Sequence, residues 1–194
     1  MNSEHRVFCA SPEWGEYLRD ELVPWVLGDR ALGDSVVEVG PGPGLTTDLI
    51  RPRTRHLTTV EADAELAAAL VKRFAGTNVT VVHADATRLP FASATFSAAI
   101  SLTMLHHVAG EEAQNDVLGE IRRVLQPGCW LLGEDSTDDP DFREFHRGDV
   151  CVPVDPATLG ARLVSAGFVD PSVELGDHVV RFAAMRPFTP DEGG

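Results

Sequence analysis

Short runs of β-branched and other apolar residues alternate along the chain with longer segments in which apolar residues recur every three to four positions. The short runs predict β-strands, and the longer segments predict amphipathic helices. The predicted strands are 36–39, 57–61, 79–83, 96–101, 129–133, 172–175 and 179–185, and the helices between them are 45–50, 64–74, 111–125 and 155–167. This alternation predicts an α/β protein with a doubly wound, mostly parallel seven-stranded sheet and helices on both faces.

The two ends of the chain add a helix and a hairpin. A serine, a proline and a glutamate at 11–13 are typical of a helix start, and apolar residues continue at helical spacing to Gly28. Pro24 interrupts this helix and predicts a kink or a break. Only the two residues 176–177 separate the last two predicted strands, so we expect a hairpin with an antiparallel last strand.

The chain is expected to form a single domain over 1–194. Residues 1–34 are predicted to form a helical segment that contributes to the pocket, 35–186 the core and 187–194 a tail. The segment 135–153 is rich in Asp and Pro and is predicted to be a loop.

Composition narrows the classes of protein that fit the chain. Among its 194 residues 43% are hydrophobic, and the formal net charge is −14, whereas nucleic-acid binding needs concentrated positive charge. Three cysteines without a CxxC pair indicate a reducing compartment rather than a disulfide framework. No apolar run is typical of a membrane span or a signal peptide. We therefore expect a soluble cytoplasmic protein without a nucleic-acid or membrane partner, of unknown oligomeric state.

A glycine-rich segment follows the first predicted strand, in the sequence VVEVGPGPGLTT. Gly40, Gly42 and Gly44 alternate with two prolines there and allow the backbone to approach a ligand closely. A glycine-rich turn between the first strand and the first helix of an α/β sheet is the usual place for a nucleotide-type ligand. The spacing is GxGxG rather than GxGxxG, and there is no GxxxxGK[ST] sequence, so neither a dinucleotide fingerprint nor a P-loop is predicted.

Acidic residues stand at or just after the ends of the first three predicted strands, along one edge of the sheet. Glu38, beside the glycines, suits a cationic amino-acid group, either directly or through water. Glu61 can accept hydrogen bonds from both hydroxyls of a ribose, and Asp85 can accept one from an adenine amino group. Each residue alone is also compatible with a tight turn, a solvated strand end or a cap. Their ordered combination favours a positively charged ligand that contains a nucleoside.

The motifs EVGPGPG, VEAD, HADATRLPF and LHHV together resemble those of the class I S-adenosylmethionine-dependent methyltransferases, specifically the small-molecule, methyltransferase type 11-like branch. The resemblance covers roughly residues 36–132 and implies a Rossmann-like fold and S-adenosylmethionine as the cofactor. It implies that Glu38 and the glycines face the methionine portion and that Glu61 holds the ribose. Asp85 and Ala86 would read adenine, and Ser101 would pass near the methionine end. The implied cofactor-binding residues are Glu38, Gly40, Gly42, Gly44, Glu61, Ala62, Asp85, Ala86 and Ser101.

The acceptor side of the site is less defined by sequence. A sulfonium methyl group is already activated, so the protein mainly has to hold the acceptor in line with the S–CH₃ bond at about 3 Å. A base helps only when the acceptor must lose a proton, and His106 and His107 are the candidate catalytic residues, although both are also compatible with a packing role. Asp135 and His146 are further candidates. The spacing of His106, His107 and His146 matches no recognised ligand pattern, and no metal site is predicted.

Three functions stay open from the sequence. The leading one is S-adenosylmethionine-dependent methyl transfer to a small-molecule acceptor, because no large inserted cap is visible. The alternative is a cofactor-binding protein of the same fold that performs no transfer, because no acceptor-side base is evident. A nicotinamide-dependent dehydrogenase is the third, and the GxGxG spacing and Glu38 argue against it. The identity of the acceptor and its attacking atom is not predicted.

Overall fold

The structure, a computed structural model, describes residues 2–188. Seven strands form one sheet in the order β3-β2-β1-β4-β5-β7-β6. They are β1 (Ser35–Val39), β2 (His56–Glu61), β3 (Val79–His83), β4 (Phe96–Leu102), β5 (Leu125–Ser136), β6 (Val169–Leu175) and β7 (Val179–Met185). β7 runs antiparallel to β5 and β6, whereas the other neighbouring strands are parallel. The predicted α/β fold class and the antiparallel last strand are confirmed.

Helices cover both faces of this sheet. They are α1 (Ser3–Cys9), α2 (Pro12–Tyr17), α3 (Val23–Leu27), α4 (Leu45–Ile50), α5 (Ala64–Arg73), α6 (Glu111–Val124), α7 (Pro140–Phe145) and α8 (Pro156–Ser165). Successive residues of a strand point to opposite faces, so Val36 and Val37 of β1 enter two different core clusters. Residues of α6 and α8 pack with Val37, and residues of α3 and α4 pack with Val36.

Two short helices and the full lengths of two strands were not predicted. α1 begins after Asn2, whose side chain accepts a hydrogen bond from the backbone of His5, and α7 interrupts the segment predicted as a loop at 135–153. Both helices are too short for apolar periodicity to be visible. β5 begins at Leu125 rather than at 129, and β6 begins at Val169 rather than at 172. Their added residues lack the alternating pattern because pairing with neighbouring strands, not burial of one face, extends them.

The helix predicted from 11 to Gly28 is continuous but irregular. A π-helical turn, Leu18–Leu22, joins α2 to α3 and lies directly before Pro24. Proline has no N–H to donate to the carbonyl four residues earlier, and a wider turn removes the clash with that carbonyl. Of the predicted tail at 187–194, residues 189–194 lie outside the described residues. Between residues 2 and 188, no helix combines the length and the apolar character that crossing a membrane requires.

Candidate functional site

A cavity of about 820 Å³ opens at the carboxyl ends of β1, β2 and β4. This is where ligands bind in open α/β sheets, beside the point at which the strand order reverses between β1 and β4. The predicted site residues that line the cavity are Gly40, Gly42, Glu61, Ala62, Asp85, Ala86, His106 and His107. Glu38, Gly44 and Ser101 do not line it. The structure therefore brings most of the predicted residues to one surface and places three of them behind it.

The glycine loop needs its glycines for two different reasons. Gly40 has a φ of 71°, and a Cβ added there would lie 2.1 Å from the Cγ atom of Met104, so a side chain does not fit. Gly42 has a φ of 54°, but a Cβ there would meet no atom within 4 Å, because this residue faces the cavity. Gly42 thus leaves open the space through which a ligand approaches the backbone.

Gly44 supports the loop from behind. It has a φ of 88°, and a Cβ there would lie 2.7 Å from the Leu70 side chain and 2.9 Å from the Phe74 ring. Gly44 is also the residue at which α4 begins. Its role in the structure is close packing of α4 against α5, which explains the third glycine of the motif without a ligand contact.

Glu38 lies beneath the loop rather than in the cavity wall. Glu38 is only 2% exposed. Its two carboxylate oxygens accept hydrogen bonds from Thr46 Oγ1 at 2.5 Å and from Thr47 Oγ1 at 2.6 Å. Burial raises the pKa of Glu38 to about 7, and the two hydroxyls offset part of that effect. Glu38 therefore ties the end of β1 to the first turn of α4 and fixes the shape of the glycine loop.

Replacing Glu38 by Gln is expected to reduce the dependence of stability on pH. The folded protein holds a proton on Glu38 between the ordinary pKa of 4.5 and its raised pKa of about 7, whereas the unfolded chain releases it. The stabilisation is thus complete below the lower value and is lost as pH rises to the upper one, by up to about 1.4 kcal/mol per pH unit. Burial also raises the pKa of Glu134, which therefore changes stability with pH in the same direction in the unaltered protein and in Glu38→Gln. The difference between these two proteins isolates the contribution of Glu38. Urea denaturation at about pH 5 and about pH 7.5 measures the effect, and an equal difference between the two proteins at both pH values would contradict it.

Glu61 joins the ends of two strands at the cavity wall. Its Oε1 accepts a hydrogen bond from Asp63 N at 2.9 Å, and its Oε2 accepts one from Gly42 N at 3.2 Å. The residue is 8% exposed, and burial raises the pKa of its carboxyl. Glu61 therefore holds the glycine loop against β2 while its carboxylate faces the cavity.

Asp85 and Ala86 form the cavity wall beyond β3. Asp85 Oδ1 accepts a hydrogen bond from Thr87 N at 2.9 Å, which closes a short turn and holds the side chain in place. Ser101 stands elsewhere, in β4 between Val39 of β1 and Gly133 of β5. It is 1% exposed, and its hydroxyl has no hydrogen-bond partner within residues 2–188.

His106 and Asp135 form a buried pair at the other end of the cavity. The His106 Nδ1 atom lies 2.7 Å from Asp135 Oδ1, and the two residues are 2% and 0% exposed. The other oxygen of Asp135 accepts hydrogen bonds from Met104 N at 3.0 Å and Leu105 N at 2.6 Å, and Oδ1 also accepts from Ser136 N at 2.8 Å. Because the Asp135 carboxylate accepts from all of these N–H groups, it also accepts from His106, which therefore donates through Nδ1. The Nε2 atom of His106 is then left as a hydrogen-bond acceptor. No group in the described part of the chain hydrogen-bonds that Nε2.

Three more histidines surround His106. Two of them, His107 and His146, are candidates from the sequence, and the third is not. The ring of His106 lies 4.1 Å from that of His107 and 4.9 Å from that of His146, measured between centroids. The missed member is His5 of α1, whose ring lies 4.4 Å from that of His146. No sequence signal identified His5, because it is separated from the others by about 100 residues and only the packing of α1 brings it to them.

The N-terminal segment forms part of the cavity wall through α1 and α2. His5, Phe8, Cys9, Trp14 and Leu18 line the cavity.

Contacts hold α1 on both sides of the cavity. The Asn2 side chain donates to the Phe145 carbonyl at 3.0 Å, and Arg6 Nη2 donates to Asp63 Oδ2 at 2.8 Å. Burial raises the pKa of Cys9 to about 11, so its thiol stays protonated and is not a nucleophile at neutral pH.

Comparisons with known proteins agree with this geometry. A curated relative, the ribosomal RNA small subunit methyltransferase A of Bordetella pertussis, is 45% identical over 67 residues, which are 32% of this chain and 25% of that protein. The chain thus spans about a quarter of the length of that relative. The phosphoethanolamine N-methyltransferase 2 of Haemonchus contortus, solved with S-adenosylhomocysteine, superposes with a TM-score of 0.75 at 14% identity over 96% of this chain and 58% of its own.

A second solved structure matches over nearly its whole length. The N-methyltransferase NodS of Bradyrhizobium japonicum, also in complex with S-adenosylhomocysteine, has a TM-score of 0.72 at 16% identity and covers 96% of this chain and 93% of its own. Identities this low establish the shared fold. The family model described as "Methyltransferase domain" matches residues 37–133, which include the glycine loop, Glu61, Asp85 and the His106 loop. The chain belongs to this family, within the class I S-adenosylmethionine-dependent methyltransferases.

Proposed function

We propose that this protein binds S-adenosylmethionine and transfers its methyl group to a small-molecule acceptor by in-line displacement. One observation carries the proposal: a single cavity connects the glycine loop, Glu61 and Asp85 at one end with His106 and aromatic side chains at the other. Its volume of about 820 Å³ lies within the range of small-molecule sites, about 300–1,000 Å³. Cofactor and acceptor can therefore occupy the same enclosed space.

The cofactor end has groups that fit each part of S-adenosylmethionine. Glu61 accepts hydrogen bonds from the ribose hydroxyls, and Asp85 with the backbone of Ala86 reads the adenine edge. Gly42, which has free space around its Cα atom, allows the amino-acid portion to lie against the backbone. Glu38 supports this portion from behind by shaping the loop. The cofactor supplies a methyl group on a positively charged sulfur, which is activated before any protein group acts.

The acceptor end positions the attacking atom. His106 is held by Asp135, so its Nε2 accepts a hydrogen bond from an O–H or N–H group of the acceptor and aims the heteroatom at the methyl group. His107 is the less suitable of the two predicted catalytic residues, because its Nδ1 lies 3.4 Å from the Val150 carbonyl and its ring packs against His5. Phe142, Phe145 and Trp14 supply apolar walls and exclude water. Positioning of this kind contributes most of the rate enhancement when the leaving group is already activated.

Two features favour a small acceptor over RNA. The net charge of −14 repels a polyanion, and α1 and α7 cover the acceptor end with Phe8 and Phe145 in contact at 5.3 Å between ring centroids. The curated relative from Bordetella is a ribosomal RNA methyltransferase by its name, which makes RNA the second candidate. That match covers only 32% of this chain.

Titration calorimetry and a label-transfer assay test the proposal. We expect selective binding of S-adenosylmethionine and S-adenosylhomocysteine over NAD, and tight NAD binding instead would support a dehydrogenase. Tritiated methyl groups should pass from the cofactor to a component of a low-molecular-weight cell extract rather than to purified ribosomal or transfer RNA. Label only in RNA would overturn the small-molecule acceptor. Cofactor binding with no label in any fraction would favour a binding protein without transfer.

A further inference from the structure

We propose that His5, His107 and His146 form a binding site for a first-row divalent transition metal such as Zn²⁺ at the acceptor end of the cavity. One ring nitrogen of each histidine lies within 4.8 Å of one ring nitrogen of each of the others. The residues come from α1, from the turn Leu105–His107 and from the end of α7, so three separate elements converge on one point. This departs from the sequence-based expectation that the protein has no metal site.

The distances require only a modest closure. Ligand nitrogens of a tetrahedral zinc site, at about 2.0–2.1 Å from the metal, lie about 3.4 Å from one another. The nitrogens lie within 4.8 Å of one another, so side-chain rotation that brings them together by up to about 1.4 Å completes this geometry. The ring centroids are already 4.4 Å apart for His5 and His146 and 5.0 Å apart for His5 and His107.

Each of the three rings is oriented through its Nδ1 atom. His5 Nδ1 lies 3.3 Å from Asp149 Oδ2, His107 Nδ1 lies 3.4 Å from the Val150 carbonyl, and His146 Nδ1 lies 2.7 Å from the Phe142 carbonyl. A carbonyl or carboxylate oxygen accepts, so Nδ1 carries the proton and Nε2 carries the lone pair. Metal-ligating histidines almost always donate their other N–H in this way to a carboxylate, a carbonyl or water.

His146 supplies independent evidence for a ligand. The residue is 2% exposed, and its Nε2 atom has no hydrogen-bond partner among the residues that the structure describes. A buried acceptor without a partner costs about 1–3 kcal/mol, so such an atom calls for an explanation. A metal ion bound at this nitrogen supplies the missing interaction.

Burial and the neighbouring histidines both act on the pKa values of the three rings. Burial lowers the pKa of His5 to about 4 and that of His107 to about 3, and it also lowers the pKa of His146. Repulsion from neighbouring histidines adds to the effect for each of the three. Neutral imidazole is the form of histidine that ligates a metal ion. Imidazole ligands suit Zn²⁺, Cu²⁺, Fe²⁺ and Ni²⁺ rather than Mg²⁺ or Ca²⁺.

A site with three protein ligands leaves a position open, as catalytic zinc sites do. All three histidines line the same cavity as the cofactor-end residues, so the open position faces the space assigned to the acceptor. If the proposed methyl transfer holds, the acceptor class is a compound with a hydroxyl or thiol group that would coordinate the metal. Its oxygen or sulfur would attack the methyl carbon as the S–CH₃ bond of the cofactor breaks, its proton would pass to His106 Nε2, and S-adenosylhomocysteine would leave. This assignment of the acceptor rests on the proposed function, whereas metal binding does not.

Titration of metal-free protein with Co²⁺, followed by visible absorption and without any cofactor, tests the site directly. We expect one Co²⁺ per chain with nitrogen ligands, displaced by Zn²⁺. His5→Gln, His107→Gln and His146→Gln should each weaken binding at least about 100-fold, more than outer-shell changes typically do. His56→Gln, which alters an exposed histidine in β2, is the matched control and should bind as the unaltered protein does.

Several results would overturn the proposal. The first is that the unaltered protein does not bind one Co²⁺ per chain. The second is that all three variants bind Co²⁺ with unchanged affinity. The third is a thiolate charge-transfer band, which would assign the metal to a cysteine. X-ray absorption at the zinc edge of the unaltered protein counts the imidazole ligands, so it decides the question even if a variant does not fold. A protein that binds S-adenosylhomocysteine but not Co²⁺ would remove the metal site and keep the cofactor site. A protein that binds Co²⁺ but not S-adenosylhomocysteine would contradict the proposed function and keep the metal site.

Discussion

Glu61→Ala is expected to weaken S-adenosylhomocysteine binding by about 100-fold or more, with the fold retained. In the proposed function Glu61 accepts two charge-assisted hydrogen bonds from ribose hydroxyls, which contribute about 1.5–3 kcal/mol each, and the variant would lose both. It also loses the acceptor for the backbone N–H groups of Gly42 and Asp63, so the glycine loop becomes less rigid. Titration calorimetry with S-adenosylhomocysteine measures the change, and thermal unfolding without ligand reports whether the fold persists.

The matched control for this variant is Glu112→Ala. Glu112 is an exposed glutamate in the first turn of α6, and it does not line the cavity. Its removal changes the net charge by the same amount as Glu61→Ala, so any general electrostatic effect on ligand binding appears in both. We expect an unchanged affinity for Glu112→Ala. Equal losses in the two variants would show that Glu61 acts only through its charge and does not contact the ribose.

Asp135→Ala is expected to lower the free energy of unfolding by about 3–5 kcal/mol. The carboxylate is fully buried and accepts hydrogen bonds from three backbone N–H groups and from His106 Nδ1. Alanine leaves these donors without an acceptor, and each buried donor without a partner costs about 1–3 kcal/mol. Denaturation in urea, analysed with the same slope for both proteins, measures the loss.

Asp116→Ala provides the comparison for Asp135→Ala. Asp116 is exposed on α6, and a surface change of this kind alters stability by less than about 0.5 kcal/mol. Asp135→Asn should fall between the two, because its amide oxygen still accepts while its NH₂ group opposes donors on the other side. A loss below about 1 kcal/mol in Asp135→Ala would mean that the His106 loop does not depend on this residue.

The position of the proposed cofactor-binding residues on one cavity wall was largely predictable because they follow strand ends. Gly40, Gly42, Glu61 and Asp85 all line the cavity, as expected from parallel strands that end at one edge. Glu38 and Gly44 belong to the same motif but lie behind the loop, where one fixes α4 and the other packs against α5. A sequence motif does not separate residues that touch a ligand from residues that shape the loop.

The acceptor end could not be predicted in the same way. Its walls come from α1, from the His106 loop and from α7, which are distant in sequence and short. Asp135 is a secondary candidate from the sequence, yet it organises the His106 turn through three hydrogen bonds, to Met104 N, Leu105 N and His106 Nδ1. Whether a buried carboxylate stabilises a turn or faces a ligand depends on which donors surround it, and only the packed chain supplies them.

By itself the sequence determined the alternation of strands and helices, the parallel sheet with its final hairpin, and the glycine loop at the first strand. These features are local, because apolar periodicity, turn residues and the alternation of strands and helices follow from neighbouring positions in the chain. Only the tertiary structure decided that Glu38 is buried, that His106 is fixed by Asp135, and that His5 meets His107 and His146. The contacts of His106 and His5 join residues about 30 to 140 positions apart, and their energies arise from burial and from pairing of polar groups that the unfolded chain exposes to water.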